Sequence, residues 1–194
     1  VVLSGEHRVV VDAAHLLPVP HDMDDLTAAA FPVSYATAHG SLLHRGGLRP
    51  GETVVTGSTG NVGEAALQVA RARGARVVAV DRSGTLPPPA ADHIVPPDGL
   101  AESVRRLTDG RGADIALDLV GGDLTAELLN GLSWEGRLVT TGFASGDIPS
   151  INLLDVLVKT SRSSAKTLPA TPAATWPPRS ERCGSAWAGM VRDF

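Results

Sequence analysis

From Leu48 to Phe143, short β-branched runs alternate with stretches of helical period, and few folds accommodate that alternation. "LRPGETVV" is a turn feeding a strand over about Thr53 to Thr56. Behind it Val62, Ala65, Ala66, Val69 and Ala70 fall at i, i+3, i+4, i+7 and i+8, one face of a helix. Gly74 stands where a left-handed residue ends a helix. "ARVVAVD" reads as a buried strand ending in Asp81 and "DHIV" as a third strand. "LAESVRRLTDG" reads as a helix, "ADIALDLVGG" as a fourth strand, "DLTAELLNGL" as a helix and "GRLVTTGF" as a fifth strand. Strands alternating with helices predict an α/β fold built on a doubly wound parallel sheet.

The flanks read differently. Residues 1–20 include "RVVVDAAHLLPVP", a strand closed by two prolines. "DMDDLTAAAFPVSYATAHGSLL" predicts helical pieces broken at Pro32, the first capped by Asp24 or Asp25 and the second running from Thr37 to Leu43. From Thr160 the composition shifts: the tail holds four of 14 prolines, two of three tryptophans and a net charge of +3, against −7 for residues 1–159. No period persists there, which predicts a disordered tail over 160–194. Three regions result: 1–20, 21–159 and 160–194.

Composition excludes several functions. With 43% apolar residues in 194, the chain can bury a core. A net charge of −4 gives no electrostatic attraction to nucleic acid or an anionic membrane. No apolar run approaches the roughly 18–20 residues of a membrane span. "VVLSGEHRVV" has no basic region leading an apolar core, so no signal peptide is read, and the missing initiator Met predicts a chain that begins mid-sequence. One cysteine, Cys183, forms no internal disulfide. His7, His15, His21, His39, His44 and His93 show no metal-ligand spacing. The expectation is a cytoplasmic protein without a metal.

The stretch "VVTGSTGNVGEAALQVA" carries the functional signal. A helix N-terminus leaves backbone N–H groups unpaired and bears partial positive charge, and a pyrophosphate answers both. Gly60 permits close approach of the backbone to phosphate, and Gly63 permits tight helix–strand packing. Ser58 replaces the first glycine of G-x-G-x-x-G. Asp81, at the end of the next strand, is placed to bond the ribose hydroxyls of NAD, while Arg82 is placed to meet a 2′-phosphate. The competing readings are a glycine-rich turn without a ligand and a solvated strand end at Asp81. No Lys follows the glycines, so a nucleoside-triphosphate loop is excluded.

"VTGSTGNVG" resembles the opening turn of atypical short-chain dehydrogenases, although it follows about fifty residues here and the single tyrosine, Tyr35, is followed by His39 rather than Lys. The fuller resemblance is to the medium-chain dehydrogenase/reductase superfamily, in its zinc-independent quinone oxidoreductase-like branch. It rests on the order of "RVVVDAAHLLPVP", "AAAFPVSYATAHGSLL", "LRPGETVV", "GNVGEAALQVARARGARVVAV", "ADHIV", "LTDGRGADIALDLVGGD" and "LSWEGRLVTTGFASGDIPSINLL". The resemblance implies a Rossmann domain joined to a GroES-like β domain, of which residues 1–20 are a remnant. It implies hydride transfer from NADP or NAD in its reduced form to a small-molecule quinone or α,β-unsaturated carbonyl, and a homodimer. Thr59, Gly60, Asn61, Val62 and Gly63 match its pyrophosphate turn, and Thr37 and Phe143 match positions near the nicotinamide. Asp118 to Gly122 matches a strand end facing the cofactor. Ordinary helix and loop packing is the alternative for Thr37 and Phe143. No residue is read as catalytic.

Three departures from the family stand out. Most of the GroES-like domain has no counterpart. "RSGTLPPPAADHIV" carries three consecutive prolines where the family has a helix. After Lys159 the family continues with a sixth strand resembling Asn-Ile-Ser-Val-Val-Gly-Lys, and codons for that string read one base out of frame give Thr-Ser-Arg-Ser-Ser-Ala-Lys, the sequence of residues 160–166. A frameshifted tail and a sheet cut short at five strands follow as expectations. The alternative to an oxidoreductase of impaired activity is a non-catalytic dinucleotide-binding remnant.

Overall fold

The computed structural model describes residues 10, 12, 16, 18–57, 60–83, 91–158 and 162–165, the last four as backbone. Its elements are α1 (Asp25–His39), a π-helical turn (Gly40–Arg45), β1 (Thr53–Gly57), α2 (Asn61–Ala72), β2 (Arg76–Val80), β3 (His93–Val95), α3 (Leu100–Leu107), β4 (Ala113–Asp118), α4 (Asp123–Asn130), β5 (Leu132–Thr140), α5 (Leu153–Val158) and β6 (Arg162–Ala165). The strands form one sheet in the order β3-β2-β1-β4-β5-β6, each neighbouring pair parallel. The expected doubly wound sheet is therefore present. The strand order turns back between β1 and β4, which opens a crevice at the C-terminal ends of those strands.

Side chains one residue apart supply opposite faces of the sheet. Val54, Val77, Ile115 and Val139 join α2 and Leu42 in one core; Val55, Val78, Ala116 and Leu138 join α3 and α4 in the other. This is why the strands read as continuous apolar runs: both faces are covered. Each fully buried leucine or valine contributes roughly 1.5–3 kcal/mol of transfer free energy. The stripe read on α2 faces inward, with Ala65, Ala66, Val69 and Ala70 buried, and Gly74 takes φ +71° just past its end. At the rim away from the crevice, Arg137 of β5 grips the Glu52 carboxylate with two bonds of 2.6 and 3.0 Å. Asp114 accepts the Thr53 N–H at 2.7 Å on the same rim.

Three expectations are corrected. Pro32 does not break the helix: α1 runs unbroken through it, capped by Asp24, which accepts the Leu26 and Thr27 N–H groups. Proline sacrifices one helical bond, but α1 buries Ala28, Phe31, Ser34, Thr37 and Ala38, and that packing outweighs the local preference. The second helical piece is the end of α1 followed by the π turn. β5 begins at Leu132 rather than Gly136, tolerating Glu135 at φ +59° and a register irregularity between Ala113 and Ile115.

The third correction concerns the sheet edge. Arg162–Ala165 forms a sixth strand, pairing Arg137↔Arg162 through Thr140↔Ala165, so the sheet does not stop at five. Strand pairing uses backbone N–H and C=O groups and asks little of the side chains, so "RSSA" serves. Most of residues 1–20, the segment 84–90 where a helix is read as missing, and the rest of the tail lie outside the described residues. Among the described residues no helix is long and apolar enough to cross a membrane.

Candidate functional site

The crevice is built from the C-terminal ends of β1, β2, β4 and β5. Gly60 caps α2 at φ +109°, ψ 161°, a region open to glycine alone. Gly60, the N-cap residue, has no side chain with which to cap the first N–H groups of this helix. A Cβ built on Gly60 meets nothing within 4 Å. A side chain would thus have room, and glycine is needed here for its backbone angles. Asn61 is exposed beside it, Val62 is half-buried and Gly63 is buried against the sheet. Thr59 lies outside the described residues.

Asp81 directly follows β2 and is buried. Its carboxylate accepts the Ser83 N–H at 3.3 Å and the Ser83 hydroxyl at 2.8 Å. Arg82 is exposed between them. The acid expected at the strand end is thus oriented by a neighbour two residues on.

Asp118 behaves differently from its sequence reading. It ends β4 with no solvent exposure, and its carboxylate accepts the Val120 N–H at 3.0 Å, the Gly121 N–H at 2.9 Å and the Thr125 hydroxyl at 2.5 Å. The side chain is turned inward and shapes the β4–α4 turn. What faces the crevice there is the turn itself: Val120 lies 3.7 Å from a Cβ placed on Gly57, across the join of β1 and β4.

The loops after β4 and β5 are laced together. The Leu119 and Val120 carbonyls accept the Ala144 and Ser145 N–H groups, and the Asp147 carbonyl accepts that of Gly122. Gly121, at φ +75°, is so close that a Cβ would lie 2.6 Å from the Asp147 carbonyl oxygen and 2.9 Å from the Phe143 ring. Phe143 is held over this glycine, and the residue is 43% exposed. Thr37 is buried on α1, one turn before Ser41, whose hydroxyl lies 3.0 Å from that of Thr141 just past β5.

Gly60, Asp81 and Phe143 thus lie just past the C-terminal ends of β1, β2 and β5, Thr37 is buried on α1, and Asp118 holds the β4–α4 turn from within. Ser41, Ser83 and Thr141 were not read from the sequence. Ser41 was within reach, since it follows Thr37 by four residues on a helix face. A separate hollow of about 320 Å³ between α4 and residues 147–155 is lined by Asp123, Asn130, Asp147 and Asp155, and not by Gly60, Asp81 or Phe143.

Tyr35 is engaged elsewhere. Its hydroxyl donates to Gln68 at 2.7 Å across the α1–α2 interface. Burial foremost, and then the Glu64 charge, push its pKa upward, against the pull of the Gln68 bond.

Residues 61–178 match the family model described as zinc-binding dehydrogenase. The chain belongs to that family. The match continues past Lys159. Quinone oxidoreductase-like protein 2 of Rattus norvegicus is 37% identical over 161 residues, covering 78% of this chain and 46% of that protein. The quinone oxidoreductase-like protein 2 homolog of Nematostella vectensis is 34% identical over 157 residues, covering 77% and 43%. A mycobacterial protein whose structure was solved with NADPH aligns at a TM-score of 0.75 and 25% identity, over 90% of this chain and 54% of that one. The medium-chain, quinone oxidoreductase-like assignment holds, in an NAD(P)H oxidoreductase family. The chain spans about half the length of the curated relatives it matches. The family description includes zinc, but among the described residues no group of three or more His, Cys, Asp or Glu is placed to hold a metal ion.

Proposed function

We propose that the chain is the dinucleotide-binding portion of an NAD(P)H-dependent, zinc-independent oxidoreductase that reduces a quinone or an α,β-unsaturated carbonyl. The observation that carries this is the start of α2: a glycine-only backbone at its N-cap Gly60, with no side chain there to cap the helix and room around the Cβ position, at the reversal of strand order. These fit a pyrophosphate. Gly60, Asn61, Val62 and Gly63, with Thr59, would cradle it, Asp81 would take the adenosine ribose, and Thr37 and Phe143 would flank the nicotinamide. When bound, the nicotinamide supplies the hydride. The chain's part is to orient that ring and shield it from water.

The buried Asp81 carboxylate favours the two ribose hydroxyls of NADH, since a 2′-phosphate beside it meets like charge. The exposed Arg82 is the group that would receive that phosphate if NADPH is used. Calorimetric titration of both reduced cofactors tests the site. Binding of neither one overturns the proposal, and a clear preference for NADPH overturns the role of Asp81.

The alternative reading is a dinucleotide-binding remnant without turnover. NAD(P)H oxidation with a quinone acceptor at ordinary enzyme rates would exclude it. A cytoplasmic homodimer is also proposed. Its support is α5, which leaves Leu153, Leu154, Leu157 and Val158 at 58–80% exposure. Sedimentation of Leu157→Lys against wild type checks it: equal masses at all concentrations would count against a dimer through this face.

A further inference from the structure

We propose that Ser41 is a positioning residue for the nicotinamide half of the dinucleotide, acting through the hydroxyl of Thr141; this rests on reading the crevice as a dinucleotide site. The register of the sheet places the pair. Thr56 pairs with Leu117, Leu117 with Val139 and Asp118 with Thr140, so the next row of β4 and β5, at the mouth of the crevice, holds positions 119 and 141. Parallel strands lie about 4.8 Å apart, which puts position 141 roughly 10 Å from the glycine turn, on the side away from Asp81. Asp81 marks the adenosine half, so Thr141 falls on the nicotinamide half.

Thr141 is fastened by two different elements. Its N–H donates to the Asp118 carbonyl at 2.8 Å, and its hydroxyl meets Ser41 at 3.0 Å. Ser41 cannot yield. It is fully buried in the π turn beside the fully buried Leu42. Gly46 closes that turn so tightly that a Cβ there would lie 2.7 Å from the Leu42 carbonyl oxygen and 3.2 Å from the Ile115 side chain. π-Helical turns recur where a helix must aim a side chain at a functional site.

Two bonded hydroxyls share one proton and leave the outer one with donor or acceptor capacity, according to which of them donates. A primary carboxamide, the group on the nicotinamide ring, offers both an acceptor and a donor. Thr141 is half-buried at the crevice edge, and its hydroxyl is oriented by Ser41 before any ligand arrives. That preorganisation is what loss of the Ser41 hydroxyl removes.

The test compares the reduced cofactor that wild type binds more tightly with ADP-ribose, which lacks the nicotinamide, both by calorimetry on the whole chain. Ser41→Ala should weaken the cofactor about fivefold to tenfold, as loss of one neutral hydrogen bond does, and leave ADP-ribose unchanged. Thr141→Val should do the same, Thr141→Ser should bind like wild type, and the double variant should be no worse than either single change. Equal weakening of both ligands in Ser41→Ala makes the residue merely structural and overturns the proposal. So does unchanged cofactor binding in Thr141→Val, a surface-side variant that stays informative if Ser41→Ala fails to fold. A wild type that binds ADP-ribose but gains nothing from the nicotinamide overturns this inference alone. One that binds neither ligand overturns the site itself.

Discussion

Gly60 and Asp118 hold the crevice by opposite means, one by having no side chain and one by hiding it. At Gly60 a methyl group has room, so the cost of Gly60→Ala is backbone strain, about 1–3 kcal/mol. The melting temperature should fall by several degrees and cofactor affinity by at least about tenfold, read by thermal denaturation and titration. Unchanged affinity would mean that phosphate does not sit at this turn. Asp118→Ala strands the N–H groups of Val120 and Gly121 and should cost about 2–4 kcal/mol. Asp118→Asn keeps an acceptor and can reverse the bond to Thr125, so its urea midpoint should stay near wild type. A residue that touched the cofactor directly would instead change affinity in both variants. The sequence could place Asp118 at a strand end but could not say which way its side chain turns, because that depends on a hydroxyl seven residues on.

At the scale of elements, α1 and α2 are joined by the Tyr35–Gln68 bond, and pH reads that joint. Burial, with Glu64, lifts Tyr35 above the ordinary tyrosine value of 10.0. Folding thus favours the neutral phenol. Its contribution is complete below pH 10 and declines as pH rises through the folded-state pKa. Tyr35 is the only tyrosine, so tyrosinate absorbance reports it without interference. The midpoint should lie above 10.0 in the folded chain and return to it in urea, and Tyr35→Phe should flatten the loss of stability at alkaline pH. What the sequence told about elements depended on side chains. The strands, α2 and the glycine turn were legible because their apolar periods follow from burial. The π turn was not, since a change of hydrogen-bond register leaves the residue pattern nearly intact. Continuation through Pro32 was hidden for another reason: the local rule against proline was overruled by packing on α2. β6 was hidden because its pairing asks for backbone alone.

For the whole molecule, the doubly wound order means that adenosine and nicotinamide would rest on halves of the sheet built from different stretches of chain. A ligand bridging them ties those halves together. The cofactor at a hundred times its dissociation constant should add about 2.7 kcal/mol of stability, raising the melting temperature by roughly 5–10 °C for a chain of this size. ADP-ribose at the same multiple should match it, and a shift with neither would contradict the site. The sheet has a further consequence for how the chain is made. β1 is synthesised first yet lies at the centre, and it is fastened to later segments: Thr53 to Asp114, 61 residues on, and Glu52 to Arg137, 85 residues on. At about 5–20 residues per second, one edge of β1 waits several seconds on the ribosome before β4 emerges to cover it. Val54 and Val55 are its apolar faces during that interval, so this is the stretch a chaperone would need to shelter in a nascent chain.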